Sequence, residues 1–504
     1  MINNFLKKAS FKVLLLIALC FIVFRTQGQN LRQDPRLRGI DTMVNRVLRD
    51  WHVVGCAVAV VEKGKVIYAN GFGYRDLEQK LPVTPNTVFS IASCTKAFTG
   101  QLIGTLVTDG KLDINKPVHG YYPELVFYND LLTNNVTVKD MLTHRTGLPR
   151  HDWLTHSKVP LSMDSIVYRI RFLEPSAGFR EELKYCNLMY TVLGGLVQKL
   201  SGKTWEAYMK EKILAPLEMG STSSLISDLD KSSEYSLGYT LRGDTIIKGT
   251  PGSDGANPAG SMNSSVNDMA KWLIAMTNDG KYKGRQVLSA KFIREATSPQ
   301  MSAPSHPRPG LPAYPDCYFG DYGYGWNIAS YRGHYEVTHS GDLPLYSSTT
   351  SFFPTDSLGI VVLVNKFDAT IAEIITAQIA DKMLSLLYKN WNGLILARQP
   401  KAGSPASVQK RPAGAQLTHP LNDYTGTYLH PAYGSIVISS INDTLHATHN
   451  GQPIFFEHLS FDIFRARVPG GRLQFHMNTV GDIISLSGAL EPEVADITFL
   501  KKKN

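Results

Sequence analysis

Runs of apolar residues mark out the elements of this chain before any single residue suggests chemistry. Leu37 to Trp51 reads as a helix, and Gly55–Lys63 and Val66–Gly71 as paired strands about a Lys63-Gly64-Lys65 turn. Ala97, Phe98, Leu102, Ile103, Leu106 and Val107 recur at i, i+3, i+4 spacing, which predicts an amphipathic helix ending at Gly110. A short helix is expected from Val138, ending at Gly147 and Pro149. A longer one spans Leu188 to Leu200, with an apolar face of Leu188, Val192, Leu193, Leu196 and Val197 and closure at Gly202. Asn257 to Asp268 reads as a polar loop leading into a helix over Met269–Met276. Residues 300–320, rich in Pro, Gly and Tyr, read as a loop over a cleft. Strands resume near Tyr322–Trp326 and continue through Val337, Thr349–Phe353 and Leu358–Asn365, and a helix over Ala369–Leu387 ends this region.

The pattern changes at both ends of the chain. Lys7, Lys8 and Lys12 precede an apolar run, Val13 to Phe24, that is short for a bilayer span, so 1–28 reads as a secretory signal peptide. The rival readings are a lipoprotein at Cys20 and an uncleaved anchor. No other stretch is long and apolar enough to span a membrane, so the expectation is an exported protein, periplasmic or secreted. Residues 29–395 then form one large domain, and 396–420, with Arg398–Gly414 at its centre, reads as a flexible linker. From 421 to 504, short alternating runs such as Ser435–Ser439 and Thr444–Thr448 are separated by turn residues. They predict a small all-β unit, a barrel or a sandwich.

Charge and cysteine content narrow the function. The formal charge of +9 falls to +5 once Lys7, Lys8, Lys12 and Arg25 are removed with the leader, and only Lys501–Lys503 forms a block. Nucleic-acid binding is therefore not indicated. Five cysteines in 504 residues do not make a disulfide scaffold. Cys94 and Cys186 read as small buried fillers beside the residues that carry the chemistry. The fourteen histidines include no H-E-x-x-H, and His151 and His156 lack the i, i+4 spacing of zinc ligands, so no metal or other cofactor is expected.

The chemistry lies in three ordered stretches. In Phe89–Gly100, Ser93 stands three residues before Lys96 at the start of a helix, so both side chains share one face. An ammonium and free N–H groups at that terminus lower the cost of an alkoxide and can hold an oxyanion. Tyr185-Cys186-Asn187 opens the next long helix. A phenol whose pKa is lowered by a lysine can take the serine proton, and Asn187 can donate to a substrate amide. In His339-Ser340-Gly341, the glycine lets a strand come close to a ligand. His144 reads as a hydrogen-bonding structural residue.

With these motifs in this order, the chain resembles the penicillin-recognising serine hydrolases, in their branch of class C β-lactamases and D-alanyl-D-alanine carboxypeptidases. Leu142–Pro149, Tyr322–Trp326 and Gly341–Ser347 add to the likeness, which covers roughly residues 35–390. The tail resembles the lipocalin-like domain often appended to such hydrolases. The resemblance implies an α/β fold of the β-lactamase/transpeptidase type, an antiparallel sheet flanked by helices with an inserted all-α lobe. It also implies roles: Ser93 as acylated nucleophile, Lys96 as its electrostatic partner, Tyr185 as general base and then acid. Asn187, His339, Ser340 and Gly341 would bind substrate, and the backbone N–H groups of Ser93 and Asp342 would form the oxyanion hole. His339 replaces the lysine usual in the β-lactamases. A histidine supplies a positive charge only partly near neutral pH, which moves the weight toward a peptidase or esterase.

The expected function is hydrolysis of an amide or ester in a small-molecule or peptide substrate. A D-amino-acid or cell-wall-type peptidase ranks first, then an esterase, then a β-lactamase. A non-catalytic receptor for such ligands is the alternative of another class. The β tail has no nucleophile–base pair, so it is expected to modulate or gate. Natural substrate and oligomeric state have no readable code in the chain.

Overall fold

The computed structural model describes residues 34–243, 245–249, 257–303, 316–399 and 416–503. The expected leader, the greater part of the linker and the centre of the 300–320 loop lie outside the described residues.

A nine-stranded antiparallel sheet forms the frame. Its strands are β1 (Gly55–Glu62), β2 (Lys65–Asp76), β3 (Leu81–Pro82), β4 (Met301–Ser302), β5 (Cys317–Tyr322), β6 (Asn327–Tyr331), β7 (His334–Leu343), β8 (Tyr346–Phe353) and β9 (Leu358–Val364). Their spatial order is β4-β5-β6-β7-β8-β9-β1-β2-β3. The first strand thus pairs with the last, Cys56 opposite Val364. Everything between β3 and β4 is a mostly helical lobe laid on one face of the sheet.

The adjacent strands β1 and β9 are buried on both faces, and up to Glu62 at the end of β1 their sequences are accordingly apolar rather than alternating. Val58, Val60, Ile360 and Val362 point toward α1 (Ile40–Asp50) and the C-terminal helix Ala369–Met383. Ala57, Ala59, Val361 and Leu363 point the other way, toward α2 (Thr95–Thr108), α3 (Asn187–Ser201) and α4 (Val266–Met276). There Phe98 and Trp272 stack with ring centroids 4.0 Å apart. α2 departs from its expected amphipathic form. Its polar residues Thr95, Lys96, Thr99 and Gln101 are as buried as its apolar ones, because the lobe closes over the side that the pattern leaves polar.

Two further elements differ from the sequence expectation. Asn257–Gly260 is a short helix followed by a two-residue strand, Asn263–Ser264, paired with Phe89–Ser90, rather than one polar loop. The helix after it begins earlier than expected, at Val266, because Ser265 caps it by accepting from the Asp268 N–H.

The C-terminal unit is a nearly closed antiparallel barrel rather than a sandwich. A short helix, Leu421–Tyr424, leads into β10 (Gly426–His430), β11 (Gly434–Ile441), β12 (Thr444–His449), β13 (Gln452–Ile454), β14 (Phe456–Ser460), β15 (Ile463–Ala466), β16 (Arg472–Met477), β17 (Ile483–Gly488) and β18 (Ile497–Lys501). The spatial order is β13-β12-β11-β10-β18-β17-β16-β15-β14. Alternate residues such as Tyr428, Ile436, Ile438, Leu473, Phe475 and Phe499 fill the interior.

The barrel packs on the helical lobe through the segment just beyond Pro149. Trp153 stacks on His156 at 3.9 Å and on the barrel's His449 at 5.3 Å. Arg169 donates to the Ala432 carbonyl at 2.9 Å, and the Lys158 N–H to the Asn450 carbonyl at 3.1 Å.

Four histidines are buried, His151 and His449 at this interface and His144 and His339 within the large domain. Burial pushes each below its ordinary value of 6.5, His151 and His449 to about 4 and His339 to about 3. The unfolded chain binds protons at these sites before the folded one does, so stability is full above pH 6.5 and drains away as the pH falls toward 4. Thermal melts across that window should show a steadily falling midpoint. A flat profile would contradict the neutral burial of these rings.

Candidate active site

Ser93 stands on a tight 3-10 turn, Ala92–Cys94, that runs directly into α2. Ala92 has φ of +46°, a left-handed conformation that a residue with a side chain seldom adopts. Neighbouring segments hold it there. The Ile91 N–H donates to the Met262 carbonyl at 2.9 Å, the Ser348 hydroxyl to the Ile91 carbonyl at 2.7 Å, and the Cys94 thiol to the His339 carbonyl at 3.1 Å. Strained backbone beside a candidate nucleophile fits a site held in place from outside.

Lys96 lies one turn further on and has no exposed surface. Its Nζ contacts Ser93 Oγ at 3.1 Å, Asn187 Oδ1 at 2.7 Å and the Ala259 carbonyl at 2.8 Å. These partners come from three separate segments, and none is an anion. Burial first, and then the Arg150 charge, bring Lys96 down to about 7. At that value the amine spends part of its time neutral, with a lone pair available to a proton three ångströms away.

Tyr185 is half-buried just ahead of α3. Lys96 Nζ lies 4.8 Å and Arg150 Cζ 5.2 Å from its ring centroid, and Ser93 is a polar neighbour of its hydroxyl. The expected lowering of this phenol is not what the surroundings produce. Burial pushes it above its ordinary value, outweighing both the neighbouring Ser93 hydroxyl and the Arg150 charge. In the resting site the tyrosine holds its proton and the lysine is the group close to losing one.

His339 also departs from expectation. It contributes no positive charge, because burial and the nearby Lys96 hold it neutral. Its Nδ1 is 2.6 Å from the Ser340 carbonyl, which only accepts, so the proton sits on Nδ1; Nε2 then accepts from the Tyr322 hydroxyl at 3.0 Å. Both ring nitrogens are committed within the protein, which makes this residue a brace behind β7. Ser340 is partly exposed, Gly341 is buried and Asp342 is exposed.

Gly341 lies hard against the Ser93 turn. A β-carbon there would collide with the Ile91 carbonyl, and would come within 2.6 Å of Ser348 Oγ and 2.9 Å of Ala92 Cβ. That close approach brings together the two segments whose Ser93 and Asp342 N–H groups were expected to form an oxyanion hole.

Asn187 is tied up rather than waiting for substrate. Its Oδ1 accepts from Lys96, and its Nδ2 donates to Asp152 Oδ1 at 2.9 Å. Asp152 in turn accepts from Arg150 Nε at 2.7 Å. Arg150, Asp152 and the Ala259 carbonyl are the participants that sequence reasoning missed. They follow or sit inside quoted stretches, Leu142–Pro149 and Asn257–Gly260, but only the fold shows that they converge on Lys96. His144 is structural: its Nδ1 accepts the Cys186 N–H at 3.1 Å, and its ring lies 4.4 Å from that of Tyr185. Cys94 and Cys186 are buried, and burial raises them to about 11 and about 12, so neither is a reactive thiolate. Among the described residues, no cluster of three or more His, Cys, Asp or Glu could hold a metal ion.

Beside Tyr185 a cleft of about 640 Å³ opens between Arg150, Glu181, Lys184, Met301 and, from the barrel, Glu493.

The beta-lactamase family model matches residues 40–382. The chain belongs to that family. Residues 410–501 match a domain of unknown function, DUF3471. An unguisins hydrolase of Aspergillus campestris is 30% identical over 433 residues, covering 80% of this chain and 78% of the fungal protein. Protein flp of Staphylococcus aureus is 28% identical over 65% of this chain, which spans 62% of the staphylococcal protein's length. Among solved structures, an octameric penicillin-binding protein homologue from Pyrococcus abyssi aligns with a TM-score of 0.62 and 23% identity over 92% of this chain and 99% of that one. A D-amino acid amidase from Ochrobactrum anthropi aligns with 0.56 and 24% over 69% and 97%. These two likenesses show the β-lactamase/penicillin-binding-protein fold, and the family is one of serine hydrolases.

Gly341→Ala should cost about 1–3 kcal/mol of stability through overpacking and slow any acylation of Ser93 as β7 is pushed off the turn. Denaturant unfolding together with labelling kinetics checks both. An unaltered labelling rate would mean that the close contact has no part in the chemistry.

Proposed function

We propose that this protein is an exported serine hydrolase that cleaves an amide or ester through an acyl-enzyme on Ser93. The observation that carries this reading is the Lys96 amine, buried, drawn down to about 7 and 3.1 Å from the Ser93 hydroxyl. Ser93 Oγ attacks the substrate carbonyl carbon, and its proton passes to the neutral Lys96 amine. Tyr185, beside Ser93 and still protonated, hands its proton to the departing nitrogen or oxygen and is re-protonated through Lys96. Water then repeats the sequence on the ester and frees Ser93. The N–H groups of Ser93 and Asp342 receive the oxyanion, each donor contributing about 3 kcal/mol.

The substrate class follows from charge. A penicillin or a D-alanyl peptide offers a carboxylate, and β7 presents no cation to it because His339 is neutral and enclosed. Arg150, over the Tyr185 ring, is already paired with Asp152. A D-amino-acid or cell-wall-type peptide bound through its backbone is therefore favoured over a β-lactam, with an ester as the second choice. The hydrolase name of the Aspergillus relative agrees with the reaction type. Export, to the periplasm or the medium, rests on the 1–28 leader.

Intact-mass analysis after exposure to a fluorophosphonate, and separately to a penicillin, tests the reading. The wild type should gain the phosphonate adduct and Ser93→Ala should not, while turnover falls by about four to six orders of magnitude. A Ser93-dependent penicillin adduct would return weight to the penicillin-recognising peptidases, and its rapid hydrolysis would mark a β-lactamase. No adduct with either reagent would leave a non-catalytic ligand receptor.

The pH profile supplies a second test. Only the neutral amine accepts the serine proton, so kcat/KM should rise with pH through about 7 and level off above it. Lys96→Arg, which cannot lose its proton in this range, should lack that limb along with most of the activity.

A further inference from the structure

We propose that the C-terminal barrel is a working part of the active site, holding His151 so that its two neighbours, Arg150 and Asp152, keep Tyr185, Asn187 and Lys96 in register. This goes beyond the gating role expected of the domain, and it rests on the hydrolase reading above.

The backbone N–H and both ring nitrogens of His151 are fixed, and two of these three by the barrel. Its backbone N–H donates to Glu491 Oε2 at 2.6 Å. Its Nε2 lies 3.0 Å from the Glu174 carbonyl, which can only accept, so Nε2 carries the ring proton. Nδ1 is then bare and accepts from the Tyr433 hydroxyl at 2.7 Å. The residue has φ of +46°, a conformation that needs outside support, and no exposed surface. Glu491 and Tyr433 provide that support from two different parts of the barrel, and both are themselves buried.

The residues on either side of this held point face the chemistry. Arg150 lies over the Tyr185 ring and pairs with Asp152 at 2.7 Å. Asp152 takes the Asn187 amide at 2.9 Å, and Asn187 takes a Lys96 N–H at 2.7 Å. The path from the barrel to the amine therefore runs through one backbone residue and two side-chain bonds. The barrel edge continues to the same place, because Glu493 bonds Lys184 at 2.7 Å on the wall of the cleft beside Tyr185, and the Ser176 hydroxyl at 3.3 Å. His151, Glu491 and Tyr433 touch no reacting atom; they are positioning residues.

The test compares two phenol deletions in the full-length protein. Tyr433→Phe removes the hydroxyl that His151 accepts from and leaves the ring. Tyr428→Phe removes an equally buried hydroxyl, which bonds only within the barrel, to the Tyr424 carbonyl at 2.9 Å. The readouts are the Ser93 labelling rate with a fluorophosphonate, its pH dependence, and the thermal midpoint. Arg150, Asp152, Tyr185, Tyr190, Cys94, Cys186, His144 and His339 all lie around Lys96, so misplacing the first two should move the alkaline rise governed by that amine. Tyr433→Phe should label about ten- to a hundredfold more slowly, with that rise displaced, while Tyr428→Phe labels as the wild type does. Glu491→Gln, which still accepts the His151 N–H, should fall between them.

Equal labelling rates and coincident pH profiles for Tyr433→Phe and the wild type would overturn the proposal, as would an equal loss in Tyr428→Phe. A wild type that shows no Ser93-dependent adduct would overturn the hydrolase reading and this one with it. The two failures are told apart by the wild-type measurement alone.

Discussion

A lysine amine with no exposed surface, surrounded by neutral acceptors, is the constraint on which the rest of the site depends. An ammonium buried without a counter-ion is costly, and the protein meets that cost by giving it three oxygens and by lowering its proton affinity. The three oxygens belong to the Ser93 turn, the start of α3 and the Asn257–Gly260 helix. Satisfying one amine therefore locks three walls of the cleft to one another. The fully buried character of α2 follows, since the helix that carries the amine has to be enclosed on the side where its own pattern is polar.

The neighbourhood extends the same economy. Around Lys96, His339 and Tyr322 bond each other, His144 accepts the Cys186 N–H, and Asn187 is shared between Lys96 and Asp152. What remains open toward the cleft is the Ser93 hydroxyl, part of Tyr185, Ser340 and the start of the segment after Gly341. On the hydrolase reading, a site built this way would recognise substrate mainly through backbone and hydroxyl groups, with Arg150, Lys184 and Glu493 placing charge along the neighbouring cleft.

Much of this could be read from the chain. The continuous apolar runs of β1 and β9 announced strands buried on both faces, and Ser93, Lys96, Tyr185 and the His339–Gly341 stretch were identifiable by order and spacing. Their protonation states were not, because the charge on His339 and the proton on Tyr185 are decided by enclosure, which depends on residues up to 245 positions away, as the Cys94–His339 contact shows. Arg150 and Asp152 were invisible for a related reason. They lie in an irregular segment with no period of its own, and only the barrel on one side and Asn187 on the other give them a place. The Asn257–Gly260 segment looked like a loop because four residues are too few for helical spacing to register.

The pairing of β1 with β9 bears on how the protein is made. Cys56 waits for a partner that emerges from the ribosome roughly three hundred residues later. Until then the central strand has one neighbour, and the Ser93 turn lacks the strand that presses on it. A chain that stops short of β7 therefore holds no completed Ser93 turn. On the hydrolase reading, the site would come together only once the last strands of the sheet are made.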